Sequence, residues 1–370
     1  MMSVGPLGRE GAAAYYLEVI AGGVEDYYLA PGEAPGRWLG PAAEALGLRG
    51  TVRPEDLESL LAGNDPRTGA HVATWLTRPG YDLTLSAPKS VSLLWALGDD
   101  RVAAVVREAH DEAVDAAVDA AMGYLDREGC KVRRGRGGRL RFDGDGLIAA
   151  AFRHRTSREG DPQLHTHVLV ANMTRGPDGE WSSPFGTLLF RHARAAGCIY
   201  QGVLRRRLVE HLGVRFEPVT KGYAEVVGID RAARRAFSRR RVAIEKAMAE
   251  HGVRSKRGAQ VATLDTRPDK PEAMTEAALR AAWAERAEEI GLDVRRVLGR
   301  PGPVPARSGT DEHLATVLTE RDASFQRRRV VEAVAESSPN GLLLGEVLDR
   351  VDGFLAGEQA ISLPTGRWTT

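Results

Sequence analysis

The chain has 370 residues, 43% hydrophobic and 27% charged, with a formal net charge of +1. That composition suits a folded protein with a sizeable core, and the length allows two domains, or one large domain with an appendage. Two cysteines, Cys130 and Cys198, exclude a disulfide framework. No apolar run approaches the ~20 residues that span a bilayer, and residues 1–11 lack the basic flank and apolar stretch of a signal peptide.

In chain order, residues 12–18 read as helix and carry Tyr15-Tyr16; Gly22-Gly23 ends it and Tyr27-Tyr28 follows. Residues 31–40 read as loop, 41–48 as a short helix, and Pro54 opens another, at a first-turn position where its missing N–H costs nothing. Residues 81–86 alternate like a strand, and 91–97 and 100–128 have helical spacing of Ala and Val. The glycine-rich basic stretch 131–141 suggests a hairpin. Residues 147–153 and 164–171 read as strands around a breaker-rich segment, 157–162. A long helix over 190–212, a strand over 222–229 and a basic helix over 231–251 follow. Residues 300–305, rich in proline, read as a linker, and 311–336 and 342–355 as amphipathic helices. Helix and strand mix without regular alternation, which favours an α+β fold with an antiparallel sheet.

The small net charge conceals basic blocks. Residues 131–141 hold six basic side chains and no acid; residues 231–257 hold ten against Glu245 and Glu250. Concentrated patches on a near-neutral chain suit local contact with a polyanion, although a solvated helix face would look similar. Arg133, Arg134, Arg239, Arg240 and Arg241 are the candidates for phosphate contact. Lys89, after Pro88, is a further one, and is equally well read as an exposed turn.

The sharpest signal is His154 with His165-Thr166-His167, three of nine histidines within fourteen residues. Residues two apart on a strand share a face, so His165 and His167 project together. If the intervening segment closes an antiparallel hairpin, His154 joins them only when it pairs opposite His165 or His167, because a one-residue slip would turn it to the other face. Three histidines with open positions are a catalytic metal pattern, but imidazole alone does not select the ion.

Metal on histidine could serve many hydrolases, and the tyrosines narrow the choice. A tyrosine hydroxyl is a weak nucleophile until a metal or base assists it. At this point the sequence resembles the conjugative relaxases of the MobF type. Ala14-Tyr15-Tyr16 with Asp26-Tyr27-Tyr28 resembles their paired tyrosines. Residues 80–92, Gly-Tyr-Asp-Leu-Thr-Leu-Ser-Ala-Pro-Lys-Ser-Val-Ser, are similar to their second motif. His154-Arg155-Thr156-Ser157-Arg158, Asp161-Pro162-Gln163-Leu164-His165-Thr166-His167 and Asn172 resemble their histidine motif. Weaker likeness runs on through Tyr200-Gln201, Phe237-Ser238 and Thr266-Arg267.

The resemblance implies a palm-like antiparallel sheet of the HUH endonuclease type, flanked by helices, with a segment folding over bound strand. It implies a relaxase domain over 1–300, with 301–370 as linker and start of a following helical, helicase-like region. No Gly-x-x-x-x-Gly-Lys-Ser/Thr loop is present, so no ATP site can be argued. The implied activity is metal-assisted nicking of one DNA strand at a transfer origin, through a covalent 5′-phosphotyrosyl intermediate, in a cytoplasmic bacterial protein. Tyr15 matches the first nucleophile, with Tyr16 beside it as the alternative, and Tyr27 or Tyr28 matches a second tyrosine that ends transfer. Asp82 matches the acid near both; its chemistry suits either a general base or an acceptor for a ligating histidine. The implied cofactor is a divalent ion, Mg²⁺ or Mn²⁺. The implied partners are single-stranded DNA and a DNA hairpin, with accessory relaxosome and coupling proteins, and no membrane insertion. Two rivals share these residues: a metal nuclease in which water attacks, and an origin-binding module that does not cleave.

Overall fold

The computed structural model describes residues 2–8, 36–73, 77–118, 124–157, 159–250 and 276–370. Tyr15, Tyr16, Tyr27 and Tyr28, the helix expected over 12–18, Arg158 and the basic residues 254–270 lie outside the described residues.

Among the described residues the strands are β1 (Met2–Pro6), β2 (Arg37–Leu39), β3 (Gly80–Ser86), β4 (Lys131–Arg134), β5 (Leu140–Asp143), β6 (Ala149–Thr156) and β7 (Pro162–Ala171), followed by four two-residue strands. The helices are α1 (Pro41–Ala45), α2 (Pro54–Leu61), α3 (Lys89–Leu97), α4 (Asp100–Val118), α5 (Tyr124–Gly129), α6 (Thr187–Leu212), α7 (Arg231–Ala236), α8 (Arg239–Glu250), α9 (Glu276–Glu289), α10 (Asp311–Thr319), α11 (Arg327–Glu336) and α12 (Leu344–Ala356). The fold is α+β. Its centre is a five-stranded antiparallel sheet in the order β1-β3-β7-β6-β2.

Alternation along the central strands sets two different faces. Leu83, Leu85, Leu164, Val168 and Val170 point into the main core, where α3, α4 and α6 cover the sheet. The opposite face is divided. At one end Leu7, Trp38, Ala150, Phe152 and Leu169 pack under Ala43, Leu57 and Leu60 from α1 and α2 in a second apolar cluster. At the other end the same face carries polar residues: Asp82 and Thr84 from β3, His154 from β6, His165 and His167 from β7. A sheet face that is apolar at one end and polar at the other provides a rigid platform for a site.

Helices α10–α12 join the main core through Leu314, Val330, Val334, Val347 and Phe354. Their junction with α6 is close. A methyl on Gly341, whose φ is +76°, would fall 1.9 Å from the Gly202 carbonyl, so glycine at 341 permits both the turn and the approach. Arg205, buried in α6, donates from Nη2 to the carbonyls of Ala335 and Ser338, both at 3.2 Å. A cation is thereby placed at the negative end of α11.

Several expected elements differ in extent. Residues 37–39, read as loop because glycine and proline crowd them, add a short edge strand, and residues 2–6 pair with β3. The segment 222–229 is no strand. Gly222 and Gly228 take φ of +85° and +94°, and only isolated bridges, Phe216 to Val226 and Thr220 to Tyr223, form there. The helix expected over 231–251 breaks at Phe237, whose ring is buried in the main core. The one expected over 311–336 breaks between residues 319 and 327.

Candidate metal centre

The β6–β7 hairpin sets the geometry. His154 pairs directly opposite His165, and Phe152 opposite His167. A register irregularity follows between His154 and Thr156, so the bend lies just beyond the ligand pair. The three ring centroids are 5.1–5.2 Å apart in every pairing. One nitrogen from each ring lies within 4.8 Å of the others, close enough for the three to converge on one ion.

Hydrogen bonding fixes which nitrogens face the centre. His167 Nδ1 lies 2.9 and 3.0 Å from the two Asp82 oxygens. His165 Nδ1 lies 2.8 Å from the Gln163 carbonyl. Both partners accept, so each Nδ1 carries the proton and each Nε2 keeps its lone pair for a metal. Thr84 Oγ1 adds a contact to His167 Nδ1 at 3.4 Å. His154 is buried at 4% exposure, while His165 and His167 are half-buried, so the cluster opens on the β7 side.

The tip of the same hairpin is clamped. Asp161, fully buried, accepts from the backbone N–H and Nε of Arg239 at 2.7 and 2.9 Å and from Nη1 of Arg286 at 2.9 Å. Trp283 Nε1 donates to the Gly160 carbonyl at 2.8 Å. Arg239 thus holds the hairpin to the start of α8. Arg241 pairs with Glu245 on the exposed side of that helix, and half-buried Arg240 lies between.

The other basic candidates occupy varied surroundings. Lys89 is half-buried, with Nζ donating to the Pro162 carbonyl at 2.6 Å. Burial lowers its pKa to about 8. Its ammonium is directed at the protein's own backbone, not at an exposed turn. Arg134 binds Asp178 through Nε and Nη2, and Ser182 through Nη1. Arg133 and Arg141 both lie over the Phe185 ring, each 4.9 Å from its centroid. Strands β4 and β5 form the expected hairpin, and on it Leu140 and Phe142 are exposed at 56% and 42%. It is a two-stranded ribbon carrying cations and apolar side chains outward.

Sequence reasoning placed Asp161 in the histidine motif but missed its clamp, with Trp283 and Arg286, and also a buried chain behind the histidines. His110 in α4 bonds through Nε2 to Thr166 Oγ1 and through Nδ1 to Tyr200 OH, both at 2.7 Å. A signal for it existed: His110 interrupts an apolar stripe of Val106, Ala109, Ala113, Val114 and Ala117.

Comparison with known proteins identifies the architecture. The family model described as TrwC relaxase matches residues 9–290. The multifunctional conjugation protein TraI of Escherichia coli is 34% identical over 98% of this chain and 21% of its own length. The chain therefore spans about a fifth of the length of the curated relatives it matches. Among solved structures, the copper-bound conjugative relaxase TrwC in complex with oriT DNA superposes with TM-score 0.69 and 33% identity, covering 80% of this chain and 100% of that one. TrwC with a 27-mer DNA comprising the recognition hairpin and the cleavage site gives TM-score 0.65 and 29% identity over the same shares.

Proposed function

The chain belongs to the TrwC relaxase family, and on that premise we propose that it nicks one DNA strand at a transfer origin by tyrosine transesterification at the His154–His165–His167 cluster. The observation that carries this reading is the convergence of the three imidazoles, with Nδ1 of His165 and His167 each against an acceptor and Nε2 thereby left for a metal.

The donor set fits a divalent metal. Three neutral imidazoles suit Mn²⁺ or a later transition ion better than Mg²⁺, which prefers oxygen ligands. Solved TrwC complexes with oriT DNA in metal-bound and copper-bound form support a bound metal here as well. When bound, the ion supplies Lewis-acid polarisation of the scissile phosphate.

The rest falls to the chain. His154, His165 and His167 would hold the ion. Asp82 keeps the proton on His167 Nδ1, and its two short contacts there favour this orienting role over that of general base. The hydroxyl of Tyr15 gives its proton to solvent and attacks phosphorus in line. The bond to the 3′ oxygen breaks, that oxygen takes a proton from solvent and leaves as the 3′-hydroxyl, and the 5′ phosphate stays on the tyrosine. Tyr16 is the neighbouring candidate for this role, and Tyr27 or Tyr28 for a second transfer. Reversal of the same step reseals the strand without ATP.

DNA is positioned elsewhere. The β4–β5 ribbon has the width and charge for a duplex major groove, with Arg133, Arg136, Arg139 and Arg141 exposed along it. This supports binding of a DNA hairpin, as in the TrwC complex with its recognition hairpin. Arg240 and Arg241 on α8 suit the flanking single strand.

A cleavage assay tests the reading. Wild-type protein with Mn²⁺ cuts a labelled single-stranded origin oligonucleotide; EDTA and His165→Ala each abolish the cut. Cleavage that persists in His165→Ala removes the metal cluster from the mechanism.

A further inference from the structure

Behind the three histidines, on the helix-covered face of the sheet, lies a second row of polar residues. Arg153 precedes His154 on β6, and Thr166 stands between His165 and His167 on β7. The two pair directly opposite one another in the hairpin register. Alternation turns both away from the candidate ligands and into the layer occupied by Leu164, Val168 and Val170.

Consecutive residues of α4 take hold of this pair. His110 bonds Thr166 Oγ1 at 2.7 Å, and Asp111 forms an ion pair with Arg153. Tyr200 from α6 completes the chain with its hydroxyl 2.7 Å from His110 Nδ1 and its ring edge-on to the imidazole. His110 and Tyr200 are fully buried and Thr166 is 2% exposed. A neutral imidazole has one donor and one acceptor, and both hydroxyl neighbours can fill either role, so the chain is satisfied throughout. Such a chain is stiff because breaking any link strands a buried polar group.

We infer that His110 and Asp111 form a brace, with Thr166, Arg153 and Tyr200, that sets the spacing of His154, His165 and His167 for metal binding. Hydrogen bonds and an ion pair have defined lengths and directions, which the apolar packing of Leu164 and Val168 lacks. They fix the height and tilt of β6 and β7 at the cross-strand pair that lies between the His154–His165 and Phe152–His167 pairs. All five are positioning residues. Without them the hairpin still folds, but its three imidazoles no longer hold one geometry before the ion arrives, and ordering them draws on the binding free energy.

This inference rests on the reading of the histidines as a metal site, and the experiment separates the two. Mn²⁺ affinity is measured by calorimetry on metal-free protein, with thermal unfolding of the same samples without metal. Thr166→Val keeps the β-branched shape and removes the hydroxyl. The brace predicts affinity about 10-fold weaker, a loss that persists when corrected for the folded fraction. Thr166→Ser, which restores the hydroxyl, binds within about twofold of wild type. If Thr166→Val does not fold, His110→Phe breaks the same link from α4 and carries the same expectation. Wild-type affinity in a folded Thr166→Val, or an equal loss in Thr166→Ser, overturns the brace. Wild-type affinity in His165→Ala instead overturns the metal site itself.

Discussion

Both carboxylate oxygens of Asp82 lie within 3.0 Å of His167 Nδ1, across the β3–β7 pairing. One acid thus directs both acceptors at a single ring N–H. It fixes the ring's tautomer and rotation and raises the basicity of Nε2.

Substitution at Asp82 separates its two candidate roles. Asp82→Ala should weaken Mn²⁺ binding by roughly 10–100-fold. Asp82→Asn still offers a carbonyl to Nδ1 and should recover most of that affinity. Calorimetry on both variants checks this. If both bind metal as wild type does and both lose cleavage, Asp82 acts as a base.

The ribbon should contribute electrostatic DNA affinity. Replacing Arg133 and Arg141 by Ala removes two cations that share the Phe185 ring. Binding to an origin hairpin should fall about 10-fold, and the slope of log K against log salt should shrink by about one for each phosphate no longer neutralised. Fluorescence anisotropy across a salt series reads both. An unchanged slope would show that neither arginine meets phosphate.

Acid should destabilise the fold through His192. Burial lowers its pKa from 6.5 to about 4, with Arg328 and Arg191 adding to the shift, while Nδ1 bonds the Tyr124 hydroxyl at 2.8 Å. The unfolded chain therefore binds a proton that the folded one refuses between those values. Stability is fully present above pH 6.5 and declines as pH falls toward 4. Because the ring is only half-buried, solvent screening limits the loss from this group to about 2 kcal/mol. Burial shifts His110 in the same direction. Urea unfolding at pH 7 and pH 5 should show a smaller acid loss in His192→Gln, which keeps a partner for Tyr124 but does not titrate. Equal losses would rule out His192.

Arg205 should fasten α11 to α6. Arg205→Met keeps most of the volume but drops two bonds to carbonyls at the end of α11. A loss of about 1–3 kcal/mol is expected, with amide exchange rising first in residues 327–356. Uniform exchange across the chain would assign Arg205 to the general core instead.

The candidate site was legible where one strand pattern carried it. His165 and His167 share a face by alternation, and the requirement that His154 pair opposite one of them is met at His165. The central strands and the β4–β5 hairpin were legible for the same local reason. What escaped was long-range. Edge strands β1 and β2 are held by partners more than seventy residues away, and short segments with proline or glycine show no periodicity of their own. Strand-like residues at 222–229 pair with residues 216 and 220 only through isolated bridges, because Gly222 and Gly228 turn the chain with positive φ. Asp161 stood in the histidine motif, yet its partners Arg239 and Arg286 are distant in sequence. His110 read as one polar interruption in an apolar helix, because its meaning depends on Thr166 across the sheet.

Tyrosine transesterification is tested most directly by a denaturing gel of the protein incubated with labelled single-stranded origin DNA and Mn²⁺. A labelled band at the mass of protein plus DNA, absent with EDTA and absent in Tyr15→Phe, is the predicted result. If the adduct moves to dependence on Tyr16, the nucleophile is the neighbouring tyrosine. Cleavage of the oligonucleotide with no covalent adduct in the wild type would contradict tyrosine transesterification and leave water as the nucleophile.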